Sequence, residues 1–349
     1  HQQLTAIDDS PVRYVILTHA HGDHAGGVPL WRGDATQVIA QQNHLEFTDY
    51  QRRLGLFFAD RNAAQFNFNP AALRAAAGRA APPAPDILFR DSYEFRLGGL
   101  EFKLLHTPGE TYDHLTVWLP KFRAAFVGDN FYESFPNIYT LRGTKPRWAL
   151  DYIASLDRIL ELEPEILLPS HGSPLHGADE IARRLTRYRD AIRYVHDATV
   201  AGINAGKDVH TLMREVQLPP ELDLGEGYGR VSWSVRGIYE GYVGWFNGNP
   251  TEMYDVPAAA VYPDLVELAG GPDVVADRAA EQLAADRPLH ALRLTEVALA
   301  VDPDHAAARA VRADAFARLR EDSRNIIESG WLDYGIRTSQ PPDASASGE

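Results

Sequence analysis

The chain has 349 residues, enough for two or three domains, and its 45% hydrophobic and 23% charged residues are those of a globular protein able to bury a core. A net charge of −14 argues against a nucleic-acid backbone or an anionic membrane surface as partner, and the absence of cysteine excludes disulfides and thiolate metal sites. No apolar run is long enough to span a membrane, so there is no transmembrane segment to expect. No signal peptide is visible. Beginning at His1, close to its first strand, the chain reads as a fragment or a processed product, of the cytoplasm or the periplasm alike.

In chain order, residues 12–17 (VRYVIL) form a short β-branched run that reads as a buried strand, followed by a turn rich in His and Gly. Residues 35–40 read as a second strand. Residues 44–80 read as an excursion of short helices, broken by Pro82, Pro83 and Pro85. Tyr93 to Leu97, the Gly98-Gly99 turn and Leu100 to Leu105 predict a β-hairpin. Residues 114–119 and 123–127 predict two more strands, residues 148–163 an amphipathic helix, and residues 166–168 a last short strand.

Beyond about residue 178 the strand signals stop. Helical spacing runs from Ile181 to Val200 and through 208–216, and residues 225–250 are dense in Gly and aromatics. Residues 273–320 are Ala-rich, with two or three helical segments. Residues 299–309 resemble the junction of a tetratricopeptide repeat, without a sustained 34-residue period. Residues 338–349 have the composition of a disordered tail. The expected organisation is 1–177 as an α/β domain, 178–320 as a helical domain, and 338–349 as the tail.

Residues 18–24 read Thr-His-Ala-His-Gly-Asp-His and follow directly on a strand. They set four potential ligands within six positions: His19, His21, Asp23 and His24. Imidazole and carboxylate suit zinc, and also manganese or iron. If alternate side chains converge as the loop curls, His19 and His21 serve one ion while Asp23 and His24 serve a second. Such a set left unpaired beside a buried strand would be costly, which weighs against a polar loop with chance histidines. Bound cations would also supply a local positive spot for an anionic substrate in a negative field.

This spacing resembles the H-x-H-x-D-H motif of the metallo-β-lactamase superfamily. Thr107-Pro108-Gly109-Glu110 is similar to its T-P-G-H turn with Glu in place of His, Gly128-Asp129 to the motif whose Asp bridges two metals, and Pro169-Ser170-His171-Gly172 to its last motif. The resemblance implies an αββα-type sandwich, its amino-terminal part expected to be missing, and two divalent ions with zinc as the expected metal. His19, His21 and Glu110 would hold one ion, and Asp23, His24 and His171 the other. Asp129 and a hydroxide would bridge them, with Asp23 and Asp129 as catalytic residues. His114 is the rival to Glu110. His106 is expected to be structural or to lie behind the ligands, and His176 to compete weakly with His171. His1, His44, His196, His210, His290 and His305 are expected to be surface or core residues.

Residues 137–143 (NIYTLRG), with Glu at 110, resemble the alkyl sulfatase family. So do residues 187–197 and 226–250, which are similar to its dimerisation domain. The resemblance implies hydrolysis of alkyl sulfate esters to alcohol and sulfate by metal-bound hydroxide, with Asn137 and Arg142 on the sulfate. It implies a homodimer through the helical domain, with helices that help wall the alkyl chain. A guanidinium forks onto two oxygens of a tetrahedral anion, which is the physical reason for an Arg there. Trp233 stands where dodecyl-sulfate-cleaving members carry a His. The sterol-carrier-like domain of longer members is absent, so the expected kinship is with the shorter branch. Two other functions stay open at this point: a hydrolase of lactones, β-lactams or phosphodiesters on the same metals, and a non-catalytic helical interaction protein with a degenerate metal domain.

Overall fold

The computed structural model describes residues 1–77 and 84–340. Among these residues nine strands form two sheets. β1 (Tyr14–Ile16), β2 (Gln37–Gln41) and β3 (Ile87–Phe89) make a parallel three-stranded sheet. β4 (Ser92–Leu97), β5 (Leu100–His106), β6 (Leu115–Leu119), β7 (Ala124–Gly128), β8 (Ile166–Pro169) and β9 (Leu175–His176) pair in that order into a second sheet. It is antiparallel except between β7 and β8.

The two-residue alternation of strand side chains sets the layers. Ile39, Leu104, Leu115 and Val117 fill a core between the sheets together with Phe89, Tyr14 and Ile16. The alternate positions Leu17, Val38 and Ala40 point the other way, onto Val28 of the short helix Val28–Trp31. On the far face of the second sheet, Trp118, Ala125, Val127 and Leu167 pack against Tyr152, Ile153, Leu156 and Ile159 of the helix Ala149–Leu160. The same core takes in Ile181, Leu185, Tyr188 and Ile192 of the helix Ala178–Asn204, and Val231, Val235 and Ile238 of the helix Val231–Val243. The order is therefore helix, sheet, sheet, helix.

The expected strands, hairpin and excursion are present, the excursion as helices Asn43–Arg53, Gly55–Phe66 and Pro70–Ala77. Pro82 and Pro83 lie outside the described residues; Pro85 precedes β3. Strands β3 and β9 were not foreseen: at three and two residues they are too short to show a period.

By contact density the chain divides into two compact units. One comprises His1–Ala59 with Arg74–Gly244, the other Asp60–Leu73 with Trp245–Glu349. In the second unit the helices Tyr262–Ala269, Pro272–Ala284, Pro288–Val301 and Ala306–Asp322 meet around Val266, Val275, Ala276, Ala298 and Ala308. Small side chains at these contacts let the helix axes approach closely. The turn between Val301 and Ala306 is the expected repeat-like junction, capped by His305, whose ring accepts from the backbone N–H of Ala308. A further helix, Ile326–Ser339, was not foreseen, and it takes in Thr338 and Ser339 of the segment expected to be disordered; 341–349 lie outside the described residues.

Candidate metal centre

The ends of four strands supply the site. His19 and His21 leave β1 on an extended loop, and Asp23 and His24 follow in the short helix Gly22–Ala25, so four side chains turn toward one point. Asp129 follows β7, and His171 follows β8 beside it. Glu110 sits in the turn between β5 and β6. Gly109 is required there: a Cβ would come 2.8 Å from the Tyr152 ring. The turn is pinned by Asn130, whose Oδ1 accepts from Glu110 N–H (3.1 Å) and whose Nδ2 donates to the Thr107 carbonyl (2.7 Å).

Two groups of ligand-type atoms result: His19, His21 and Asp129, and Asp23, His24 and His171, each within 4.8 Å of one another. His19 Nε2 lies 3.0 Å from His21 Nδ1, and His171 Nε2 lies 3.3 Å from His24 Nε2. Asp129 stands between the groups. Its Oδ2 is 3.8 Å from His19 and 3.3 Å from His24, and its Oδ1 is 3.6 Å from His171. Glu110 Oε1 lies 3.9 Å from His21 Nδ1, so it flanks the first group, which Asp129 completes. The first group is buried at His19 and Asp129 and partly exposed at His21. The second opens to solvent through Asp23 and His171, both more than half exposed.

Burial, reinforced by neighbouring imidazoles, holds His19 well below its ordinary value. Burial and the Arg142 charge do the same to His21, so both rings present neutral nitrogen lone pairs. Burial alone would lower His24, yet the carboxylates of Asp129 and Asp23 push it up to about 10; the bond to His24 holds Asp23 down at about 2. Burial pushes Glu110 up to about 7, with Arg147 opposing the shift. Oε1 of Glu110 and Oδ1 of Asp129 are buried without a hydrogen-bond partner among the described residues, while Oε2 of Glu110 is ion-paired with Arg147. Buried carboxylates left this way are costly, and cations would satisfy them. The donor set of imidazole nitrogen and carboxylate oxygen fits divalent metals of the zinc type.

The other expected residues are placed as follows. His114 Nε2 accepts from the backbone N–H of Asp129 (3.1 Å), and its ring stacks on His19. Arg142 brings Nη2 to 3.1 Å from His21 Nε2. Asn137 is fully buried, and neither polar atom of its side chain has a hydrogen-bond partner among the described residues. Trp233 lies in the helix Val231–Val243 with the Arg230 guanidinium 5.7 Å from its ring centroid. His106 is near the Tyr112 carbonyl, His44 pairs with buried Asp113, His196 with Tyr242 and Asp197, and His176 is exposed on β9. Arg147 was missed. It is buried, with Nη1 2.5 Å from Glu110 Oε2 and donating to the Asn137 carbonyl at 2.6 Å. No motif marks it, and only its burial beside a carboxylate reveals it.

This fold and cluster define a class, the metallo-β-lactamase superfamily, whose profile matches residues 2–171; that of alkyl sulfatase dimerisation matches residues 208–334. A linear primary-alkylsulfatase from Pseudomonas sp. is 33% identical, over 94% of this chain and 67% of its own length. An alkyl/aryl-sulfatase from Saccharomyces cerevisiae is 27% identical, over 88% of this chain and 52% of its own. The solved structure of a stereoselective inverting sec-alkylsulfatase from Pseudomonas sp. superposes with a TM-score of 0.87 at 23% identity, covering 98% of this chain and 59% of that one. The chain therefore belongs to the alkyl sulfatase family of the metallo-β-lactamase superfamily, and it spans roughly half to two thirds of the length of these relatives.

Proposed function

We propose that the chain is a metal-dependent hydrolase of alkyl sulfate esters, releasing alcohol and inorganic sulfate. The single observation that carries this is the pair of ligand groups sharing Asp129, with the Arg142 guanidinium at their edge. His19, His21, Glu110 and Asp129 would hold one divalent ion, and Asp23, His24, His171 and Asp129 a second, with zinc as the expected metal. Two such ions would lower the pKa of water toward neutrality and offset the negative charge that develops on the substrate.

The chain's own residues do the rest. Arg142 has the shape to fork onto two sulfate oxygens. Asn137, buried and unsatisfied, offers a donor to a third. Phe47 meets the His21 ring edge-on at 5.6 Å, and Tyr112 packs on Phe47 at 5.3 Å, so apolar surface begins beside the cluster, where an alkyl chain would lie. Asp23, exposed at the open edge, faces the side from which substrate and water arrive.

The dimerisation profile supports a homodimer. The second unit of the chain exposes the apolar side chains of Trp245, Met253, Tyr254, Val256, Leu265 and Leu268, which a second copy would cover. No helix among the described residues is long and apolar enough to cross a membrane.

The test is a hydrolysis screen over primary and secondary alkyl sulfates, lactones and phosphodiesters, with metal content measured on the same sample. Turnover confined to sulfate esters supports the reading; turnover only of lactones or phosphodiesters overturns it.

A further inference from the structure

The most unusual charge outside the expected ligand set is Arg147. Its side chain is 4% exposed, and it enters the site from the segment preceding the helix Ala149–Leu160. A guanidinium taken this far out of water is destabilising unless its donors are used. A single nitrogen, Nη1, meets two acceptors: Glu110 Oε2 at 2.5 Å and the Asn137 carbonyl at 2.6 Å. The two acceptors belong to different parts of the site. Glu110 turns its other oxygen toward His21, on the cluster side. Asn137 opens the segment that carries Arg142 to the opposite nitrogen of the same imidazole. Arg147 thus closes a loop of contacts from His21 through Glu110 to Asn137, and through Arg142 back to His21.

We propose that Arg147 is a positioning residue that fixes the anion-binding segment 137–142 against the metal centre; this rests on the alkyl sulfatase reading given above. The segment between β7 and the helix Ala149–Leu160 contains no strand or helix of its own, so no backbone ladder holds Asn137 in place. Backbone hydrogen bonds hold its neighbours, Phe135 to Gly225 and Gly229 and Ile138 to Pro136, but the side chain of Asn137 makes none among the described residues, so the carbonyl bond to Arg147 is the polar contact that anchors Asn137 itself. Loss of that anchor loosens the sulfate subsite while the imidazoles and Asp129 keep their positions on β1 and β7. The effect therefore falls on substrate binding rather than on the chemical step.

The experiment compares wild type, Arg147→Met and Arg147→Lys in the metal-loaded protein. It reads kcat and KM for a primary alkyl sulfate, the inhibition constant of inorganic sulfate, and metal content. In Arg147→Met, KM and the sulfate inhibition constant are expected to rise together by about tenfold, with kcat and metal content within about twofold of wild type. In Arg147→Lys, whose single shorter ammonium does not reach both acceptors, both constants are expected to rise at least about threefold. If the Met variant does not fold, the Lys variant decides by the same criterion. Constants within about twofold of wild type in the folded variants overturn the proposal, as does a loss of kcat or of metal with the sulfate constant unchanged. A wild type that turns over no alkyl sulfate defeats the underlying reading, and the proposal falls with it.

Discussion

The backbone N–H of Asp129 donates to Nε2 of His114 at 3.1 Å. That bond gives His114 a partner within the fold. Its acceptor nitrogen is occupied in aiming Asp129, and its other nitrogen, Nδ1, is buried without a partner among the described residues. Glu110, whose Oε1 is free of hydrogen bonds there and faces His21 at 3.9 Å, has the better claim to a ligand role. Glu110→Ala is expected to lose about one of two bound ions per chain. His114→Ala should still fill both sites at saturating metal, though with weaker affinity because Asp129 is no longer held, and should lower unfolding stability by about 1–3 kcal/mol, the cost of leaving a buried N–H unsatisfied. Metal analysis and urea unfolding of the two variants check this.

Gly128 supports the same contact from behind. Its φ is +53°, and a Cβ there would fall 2.5 Å from His114 Nε2. Gly128→Ala is expected to destabilise the metal-free protein by about 1–3 kcal/mol, through left-handed strain plus a clash that the imidazole must yield to. It should also weaken metal binding, because His114 would no longer hold Asp129. Gly98→Ala, at a turn where a Cβ meets nothing within 4 Å, is the control: it carries the strain without the clash. Equal stability loss and unchanged metal affinity in both variants would contradict the account.

Arg142 is the expected discriminator of substrate class. Its charge-assisted hydrogen bonds to a sulfate would contribute about 1.5–3 kcal/mol, so Arg142→Ala should lower kcat/KM for alkyl sulfates by about 10- to 150-fold. Any side activity toward lactones should change little. Parallel kinetics on the two substrates show it.

The fold's outline was legible because the strands are short, β-branched and bounded by turn residues, and because the candidate ligands lie at the ends of β1, β5, β7 and β8, one motif after each. The cluster of four within residues 19–24 needed no tertiary knowledge. What sequence did not show depends on packing. Arg147 has no motif, and its meaning comes from Glu110 and Asn137, 37 and 10 residues away. Periodicity gave the type of the helix Ala178–Asn204, but not that Leu185 and Tyr188 share a core with Val127 and Leu167. The T-P-G-x position already favoured Glu110 over His114; what no pattern encodes is the backbone hydrogen bond that Asp129 makes to His114.

The apolar surface of the second unit predicts the assembly. Leu268, 85% exposed, and Trp245, 76% exposed, would be covered by a partner copy. Leu268→Asp combined with Trp245→Ser should convert a dimer to a monomer in light scattering after size exclusion. A variant that still elutes as a dimer places the interface elsewhere.

The most direct test of the account is a metal titration of chelator-stripped protein, following bound ions and alkyl sulfate hydrolysis together. Two ions per chain are predicted, with activity absent in the stripped protein and restored as the sites fill. Saturation below about one ion per chain, or hydrolysis undiminished after stripping, would contradict it.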